Sequence, residues 1–153
     1  MYRSKKGIKD SKEIEEILRK SLVGRLGTSV NDKPYVVPLC FVYHRDRIYF
    51  HSAPRGKKLK NLEKNEQVCF EVDEYHLIKR AKPCDFTMCY RSVIAFGRAR
   101  IVQNLNEKLF VMKVMMEKYD PEETAGPLTE ETISDLVVVE MALEKITGKK
   151  NEF

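Results

Sequence analysis

Arg47-Ile-Tyr-Phe-His-Ser-Ala-Pro-Arg-Gly-Lys-Lys-Leu-Lys-Asn-Leu62 passes from one secondary structure to another within a single short stretch. Arg47 to His51 has the composition of a β-strand. Pro54 and Gly56 break the pattern, and Leu59 and Leu62 with lysines between them begin a helical one. Arg55, Lys57, Lys58 and Lys60 therefore gather where a new helix presents backbone N–H groups without intrahelical partners. Free donors, the positive end of a helix dipole and mobile cationic side chains are what a phosphate requires. Read alone, the segment serves equally well as a solvated basic turn.

The flanking sequence extends the β pattern in both directions. Upstream, Asp10-Ser-Lys-Glu13 is a capping box, and Ile14, Ile17, Leu18 and Leu22 predict a short amphipathic helix over about residues 11–20. Gly24 to Val30 reads as a glycine-weakened strand, Asn31-Asp-Lys-Pro34 as a turn, and Tyr35 to Tyr43 as one strongly β-prone run. Pro38 cannot donate within a ladder, so pairing must be interrupted there, as at an edge or bulge. Downstream, Gln67 to Asp73 alternates as a further strand. Glu74 to Cys89 has no periodicity and reads as a long loop carrying Lys79, Arg80 and Lys82. Tyr90 to Val102 is a long strand with a bend suggested by Gly97. Asn104-Leu-Asn-Glu107 caps a helix with Leu105, Leu109, Met112, Met115 and Tyr119 on one face, read as packing residues. Thr129-Glu-Glu131 suggests a helical turn, and Leu136 to Thr147 is the last strand. Six strand candidates with two or three helices predict a small, mainly antiparallel β-barrel with α attachments. One domain spans residues 1–153, with the barrel over about 22–149.

Composition narrows the partners without choosing one. The chain has 153 residues, 42% hydrophobic and 33% charged, with a formal net charge of +5. No apolar run approaches the roughly 18–20 residues of a membrane span, and the first residues lack a signal-peptide core, so a cytoplasmic protein is expected. The basic residues are spread along the chain without a helix-turn-helix pattern or arginine-rich arm, so neither nucleic acid nor membrane is an expected partner. Cys40 and Cys69 lie in apolar strand patterns. Cys84 and Cys89 with His76 lack the spacing of a zinc site, and reduced thiols with no metal are expected. There is no dinucleotide fingerprint, Walker loop, G-x-S-x-G or HExxH. What remains is a phosphate cradle at residues 52–58, a proline-broken strand, and a strand bearing hydroxyls at Tyr90 and Ser92. That combination suits a flat, phosphorylated cofactor lying against a barrel.

The blocks Pro34-Tyr-Val-Val-Pro-Leu-Cys-Phe41, Ile48-Tyr-Phe-His-Ser-Ala53, Gly56-Lys-Lys58, Val68-Cys-Phe-Glu-Val72, Tyr90-Arg-Ser-Val-Ile-Ala-Phe-Gly-Arg-Ala99 and Ile146-Thr-Gly-Lys149 follow one another in order. Together they resemble the pyridoxamine 5'-phosphate oxidase-like split-barrel family, most closely the branch of 5-nitroimidazole antibiotic-resistance proteins. The resemblance implies a homodimer of six-stranded antiparallel split barrels with FMN in clefts at the subunit interface. It assigns His51, Ser52, Ala53 and Lys58 to the phosphate and ribityl chain, with Lys57 and Arg55 as further partners. It assigns the backbone of Val37, Pro38, Leu39 and Cys40 to the isoalloxazine ring, and Tyr90, Ser92 and Val93 to the site from the long strand, as a partner-subunit contribution. The longer arginine–lysine motif and C-terminal substrate segment of true pyridoxamine phosphate oxidases are not evident, so oxidation of vitamin B6 is not expected. The function implied is an FMN-dependent oxidoreductase using small-molecule electron donors and acceptors such as nitro-aromatic or quinone-like compounds. A flavin or haem carrier or sensor without turnover is the alternative. No side chain is marked as acid or base. His51 is a candidate proton donor, and a structural hydrogen bond is the competing reading.

Overall fold

The computed structural model describes residues 6–78 and 87–151. The strands are β1 (Gly7–Ile8), β2 (Gly24–Val30), β3 (Lys33–Leu39), β4 (Val42–His44), β5 (Arg47–Ser52), β6 (Gln67–Ile78), β7 (Thr87–Ile101) and β8 (Val137–Asn151). The helices are α1 (Ser11–Lys20), α2 (Lys57–Lys64), α3 (Leu105–Tyr119) and α4 (Glu130–Ile133). Strand order is β3-β2-β6-β7-β8-β5-β4, with β1 added on β8, and every pairing is antiparallel. The fold is mainly β, consistent with a split barrel, and the sheet is not closed: no ladder joins β3 at one end to β4 at the other. This leaves a seam.

Local chemistry explains the elements. Asn31 and Asp32, and again Arg45 and Asp46, have φ between 47° and 59°, the left-handed pair that a two-residue hairpin requires. Asp10 caps α1 by accepting from the Lys12 N–H, and Asn104 caps α3 by accepting from the Glu107 N–H. Alternation then sorts the strands. Leu26, Ile48, Phe50, Phe70, Val72, Val93, Ala95, Val139 and Met141 fill the barrel, where Phe41 stacks edge-on against Phe70 at 4.8 Å. A second apolar layer lies on the other side of β4, β5 and β8. There Val42, Tyr49 and Val138 meet Val111, Met112 and Met115 of α3, and Ile133 joins them from α4.

Three expectations need correction. The run Tyr35 to Tyr43 is two strands, because residues 40 and 41 cross from one end of the sheet order to the other. The stretch Glu74 to Cys89 is not one long loop: β6 runs on to Ile78 and β7 starts at Thr87, paired from Glu74↔Arg91 through Ile78↔Thr87. Lys79, Arg80, Lys82 and Cys84 lie outside the described residues. Cys40 is exposed rather than buried in a strand, Cys69 is half-buried and Cys89 buried. Pro38 sits on the edge strand β3, opposite Arg25, where a missing donor is tolerated. Gly97 stands at a register shift between β7 and β8, where Phe96 pairs with Lys145 and Gly97 with Leu143.

Candidate functional site at the seam of the sheet

The N-terminus of α2 spans the seam. Asn61 donates to the Thr28 hydroxyl at 2.9 Å and Asn65 to the Ser29 carbonyl at 2.9 Å, which fixes the helix against β2. Lys57 then lies with its ammonium 4.6 Å from the centre of the Tyr35 ring on β3, and Lys58 lies 5.3 Å from that of Phe50 on β5. These two lysines face the two sides of the opening. No side chain caps α2. Its first backbone bond runs from the Lys60 N–H to the Gly56 carbonyl, leaving the amides of residues 57–59 as the donors of the first turn. Gly56 has φ 149°, a conformation that L side chains rarely adopt, and no atom lies within 4 Å of where a Cβ would stand. The donor set fits a phosphate: amides, two ammonium groups, and open space above a glycine.

Electrostatics agree. Burial lowers the Lys58 pKa, a cost that an anion would relieve. His51, at the end of β5, stays exposed, and partial burial and the Lys58 charge together hold its pKa below the ordinary value of 6.5. At neutral pH it is a neutral imidazole, able to accept one hydrogen bond and donate another. Ser52 is half-buried beside it, and Ala53 and Arg55 are exposed on the turn.

The other residues read from the sequence fall into two groups. Val37 and Leu39 turn inward onto the barrel core, while Pro38 and Cys40 are exposed. Cross-strand register places Pro38, Arg25, Glu71, Ile94 and Thr147 in one row on the outer face of the sheet, and Asp73, Ser92 and Lys149 in the next. Tyr90 follows, opposite Tyr75. Pro38 and Ser92 thus share a face but lie on strands three steps apart in the order, roughly 14 Å. One subunit does not bring them together. Val93 faces the barrel interior at 1% exposure, turned away from the face that carries Tyr90 and Ser92.

Several polar groups escaped the sequence reading. On the outer face, the Arg25 guanidinium pairs with Glu71 at 3.1 Å and with Asp73. Around this pair lie exposed apolar side chains: Val36, Tyr75, Leu77, Met88, Ile94 and Phe96. Between β8 and α3, buried Glu140 takes bonds from Arg47, Tyr49 and Arg100. At the seam, Lys118 and Tyr119 bond to the crossing residue Phe41. Their partners are too distant in sequence for spacing to signal them, although a glutamate inside Val137–Met141 is itself an anomaly worth noting in an apolar strand. Among the described residues no three of His, Cys, Asp and Glu gather as metal ligands, and no described helix is long and apolar enough to cross a membrane.

A family model described as pyridoxamine 5'-phosphate oxidase matches residues 10–150. No curated protein matches the chain in sequence. Among solved structures, a candidate 5-nitroimidazole antibiotic resistance protein from Bacteroides thetaiotaomicron is 25% identical, with 94% of this chain and 86% of that one covered and a TM-score of 0.82. An FAD-binding protein from Mesorhizobium loti is 26% identical, with coverage of 94% and 96% and a TM-score of 0.70. An FAD- and haem-binding protein from Mycobacterium smegmatis is 14% identical, with coverage of 97% and 74% and a TM-score of 0.85, a likeness of fold alone.

Proposed function

The chain belongs to the pyridoxamine 5'-phosphate oxidase family, and from that premise we propose that it is an FMN-binding oxidoreductase acting as a homodimer on small acceptors such as nitro-aromatic or quinone-like compounds. The observation that carries the reading is the uncapped start of α2, with Lys57 and Lys58 facing the two sides of the seam. When bound, the flavin supplies the electron transfer. The chain supplies position and electrostatics. Amides of residues 57–59, Lys57, Lys58 and Ser52 hold the phosphate and sugar end, and Ala53 leaves room beside it. The edge of β3 from Val37 to Cys40 offers the flat wall for the ring. FMN is preferred over FAD because the cradle matches a terminal phosphate.

The second copy has a reason to be present. Exposed Tyr75 (66%), Val36 (63%) and Leu77 (51%) share the outer face with Met88, Ile94 and Phe96 around the Arg25–Glu71–Asp73 ion pairs, apolar surface that a second copy can cover. A symmetric pairing over this face covers it and brings the Tyr90 and Ser92 side of one subunit toward the β3 edge of the other.

His51 is neutral and next to Lys58, which suits a hydrogen bond to phosphate or backbone better than a proton-donating role. The absence of a placed acid or base among the described residues equally suits a carrier without turnover. The absorption spectrum and mass of the co-purifying ligand test the reading first: FMN supports it, and haem or an empty protein that takes up no flavin overturns it. Oxidation of the reduced, bound flavin by a nitroimidazole under anaerobic conditions separates enzyme from carrier.

Lys58→Ala is expected to weaken FMN binding by ~1–3 kcal/mol, the scale of one charge-assisted hydrogen bond. Titration of the apo-protein with FMN, followed by flavin fluorescence, reads it directly. Unchanged affinity in a folded variant removes Lys58 from the site.

A further inference from the structure

The seam has a second lysine-bearing border that the phosphate cradle does not explain. Residues 40 and 41 carry the chain from β3 to β4, at opposite ends of the strand order, and Phe41 on that crossing is fully buried. Both polar groups of its backbone are bonded by side chains of α3 instead of a strand. The Phe41 N–H donates to the Tyr119 hydroxyl at 2.9 Å, and the Phe41 carbonyl accepts from the Lys118 ammonium at 3.0 Å. Lys118 also donates to the Ser21 carbonyl at 2.6 Å and stands 4.1 Å from the centre of the Phe41 ring. The Tyr119 hydroxyl donates in turn to the Leu22 carbonyl at 2.7 Å. Three segments distant in sequence, the α1–β2 link, the crossing and the end of α3, are thereby fastened at one point.

We propose that Lys118 is a positioning residue for the flavin ring: clamping the Cys40–Phe41 crossing sets the backbone of Val37–Cys40, the wall against which the ring lies. The proposal rests on the flavin reading above and adds a residue outside the cradle. Ammonium donors hold carbonyls more firmly than a neutral amine does. Burial brings the Lys118 pKa down to about 8, opposed in part by the neighbouring Cys40 thiol. The other groups that face Lys118 are the Tyr119 phenol on its own helix, pushed up to about 12 by burial, and, from the α1–β2 link, a backbone carbonyl. Among the described residues no carboxylate forms an ion pair with it. Opening the clamp returns Lys118 to water and to its ordinary pKa of 10.5, so above about pH 8 the open state binds more protons and the closed clamp is favoured as pH rises.

The test compares wild type with Lys118→Met and Lys118→Arg at pH 7 and pH 9, in two measurements. In the apo-protein, hydrogen exchange reads the protection factor of the Phe41 amide. In titrations with FMN, affinity and the visible flavin spectrum are followed. Wild type is expected to gain about fivefold in amide protection from pH 7 to pH 9, because only the open state then keeps the Lys118 proton, and to bind FMN more tightly than Lys118→Met at both pH values. Lys118→Arg keeps its charge and is expected to be flat and tight, and Lys118→Met flat and weak. If Lys118→Met matches wild type in protection, affinity and pH profile, the proposal is overturned while the flavin reading stands. Should Lys118→Met not fold, a pH-dependent Lys118→Arg overturns the proposal just as well. Wild type that takes up no flavin at either pH overturns the functional reading and this proposal with it.

Discussion

Glu140→Ala is expected to lower the unfolding free energy by about 3 kcal/mol, the scale of removing one partner from a buried charged network. Glu140 is 5% exposed and lies in a cross-strand row with Tyr49 on β5 and Arg100 on β7. The Tyr49 hydroxyl donates to it at 3.0 Å, Arg100 donates through Nε at 2.9 Å and Nη2 at 3.0 Å, and the Arg47 Nε lies 3.2 Å away. Arg100 continues to Glu107 on α3 at 2.8 Å, so the row ties the sheet to its covering helix. Alanine leaves the Tyr49 hydroxyl without its acceptor in an apolar layer. Glutamine keeps that acceptor and loses only the charge, so Glu140→Gln should cost less than half as much.

The pH dependence has a definite sign. Burial works to raise the Glu140 pKa, but the Arg100 and Tyr49 hydrogen bonds and the charges of Arg100 and Arg47 hold it below the ordinary 4.5. A carboxylate whose pKa is lower in the folded chain stabilises fully above its unfolded value, and that contribution disappears as pH falls through the folded one. Urea unfolding from pH 7 to pH 3 should therefore show a steeper acid loss in wild type than in Glu140→Gln. Equal slopes would mean that the buried charge contributes no stability.

Gly97→Ala is expected to cost about 2–3 kcal/mol, although the same change at Gly27 in the same sheet should be nearly neutral. A Cβ on Gly97 would stand 1.9 Å from the Ala142 carbonyl oxygen and 3.3 Å from the Leu143 Cα, so two backbones must separate. On Gly27 it would find nothing nearer than 3.5 Å, an ordinary contact, which makes Gly27→Ala the control. At Gly97 the ladder passes over Glu144, and beyond it the β8 residues opposite the inward Ala95 and Val93 are Ile146 and Gly148, no longer the odd-numbered set that holds Met141 and Leu143. The bulge thus lets one strand serve the helix-covered layer first and the outer face later. Denaturant midpoints with an unchanged slope give the comparison. A Gly97→Ala midpoint equal to that of Gly27→Ala would show that the close approach is dispensable.

What could be read from the sequence was what is local. Arg47 to Leu62 yielded β5, the turn and α2 because the change of pattern, the proline and the glycine all act within a few residues. The capped helices followed from Asp10 and Asn104 for the same reason. The β6–β7 hairpin was missed beyond Asp73 because polarity does not alternate there: Tyr75, Leu77 and Met88 are exposed apolar residues on its outer face. The break at Cys40 was half legible. Pro38 announced an edge or a bulge, but the departure of the chain to the far end of the sheet depends on Phe41 entering the barrel against Phe70. The basic cradle was visible as composition, and its direction toward Tyr35 and Phe50 was not. Tyr119 read as one more packing residue of its helix and Lys118 drew no reading, because the carbonyls that Lys118 holds belong to segments 77 and 97 residues earlier.

Strand order has a consequence for synthesis. β8 lies between β7 and β5, and no other ladder joins β3-β2-β6-β7 to β5-β4. A nascent chain that has left the ribosome only as far as α4 therefore holds two unjoined fragments, with bare hydrogen-bonding edges at β7 and β5. On the larger fragment the open edge of β7 adjoins an apolar surface that includes Ile94 and Phe96. Such edges recruit other strands, so the interval before β8 emerges is when the molecule most needs a chaperone or a low local concentration of its own kind.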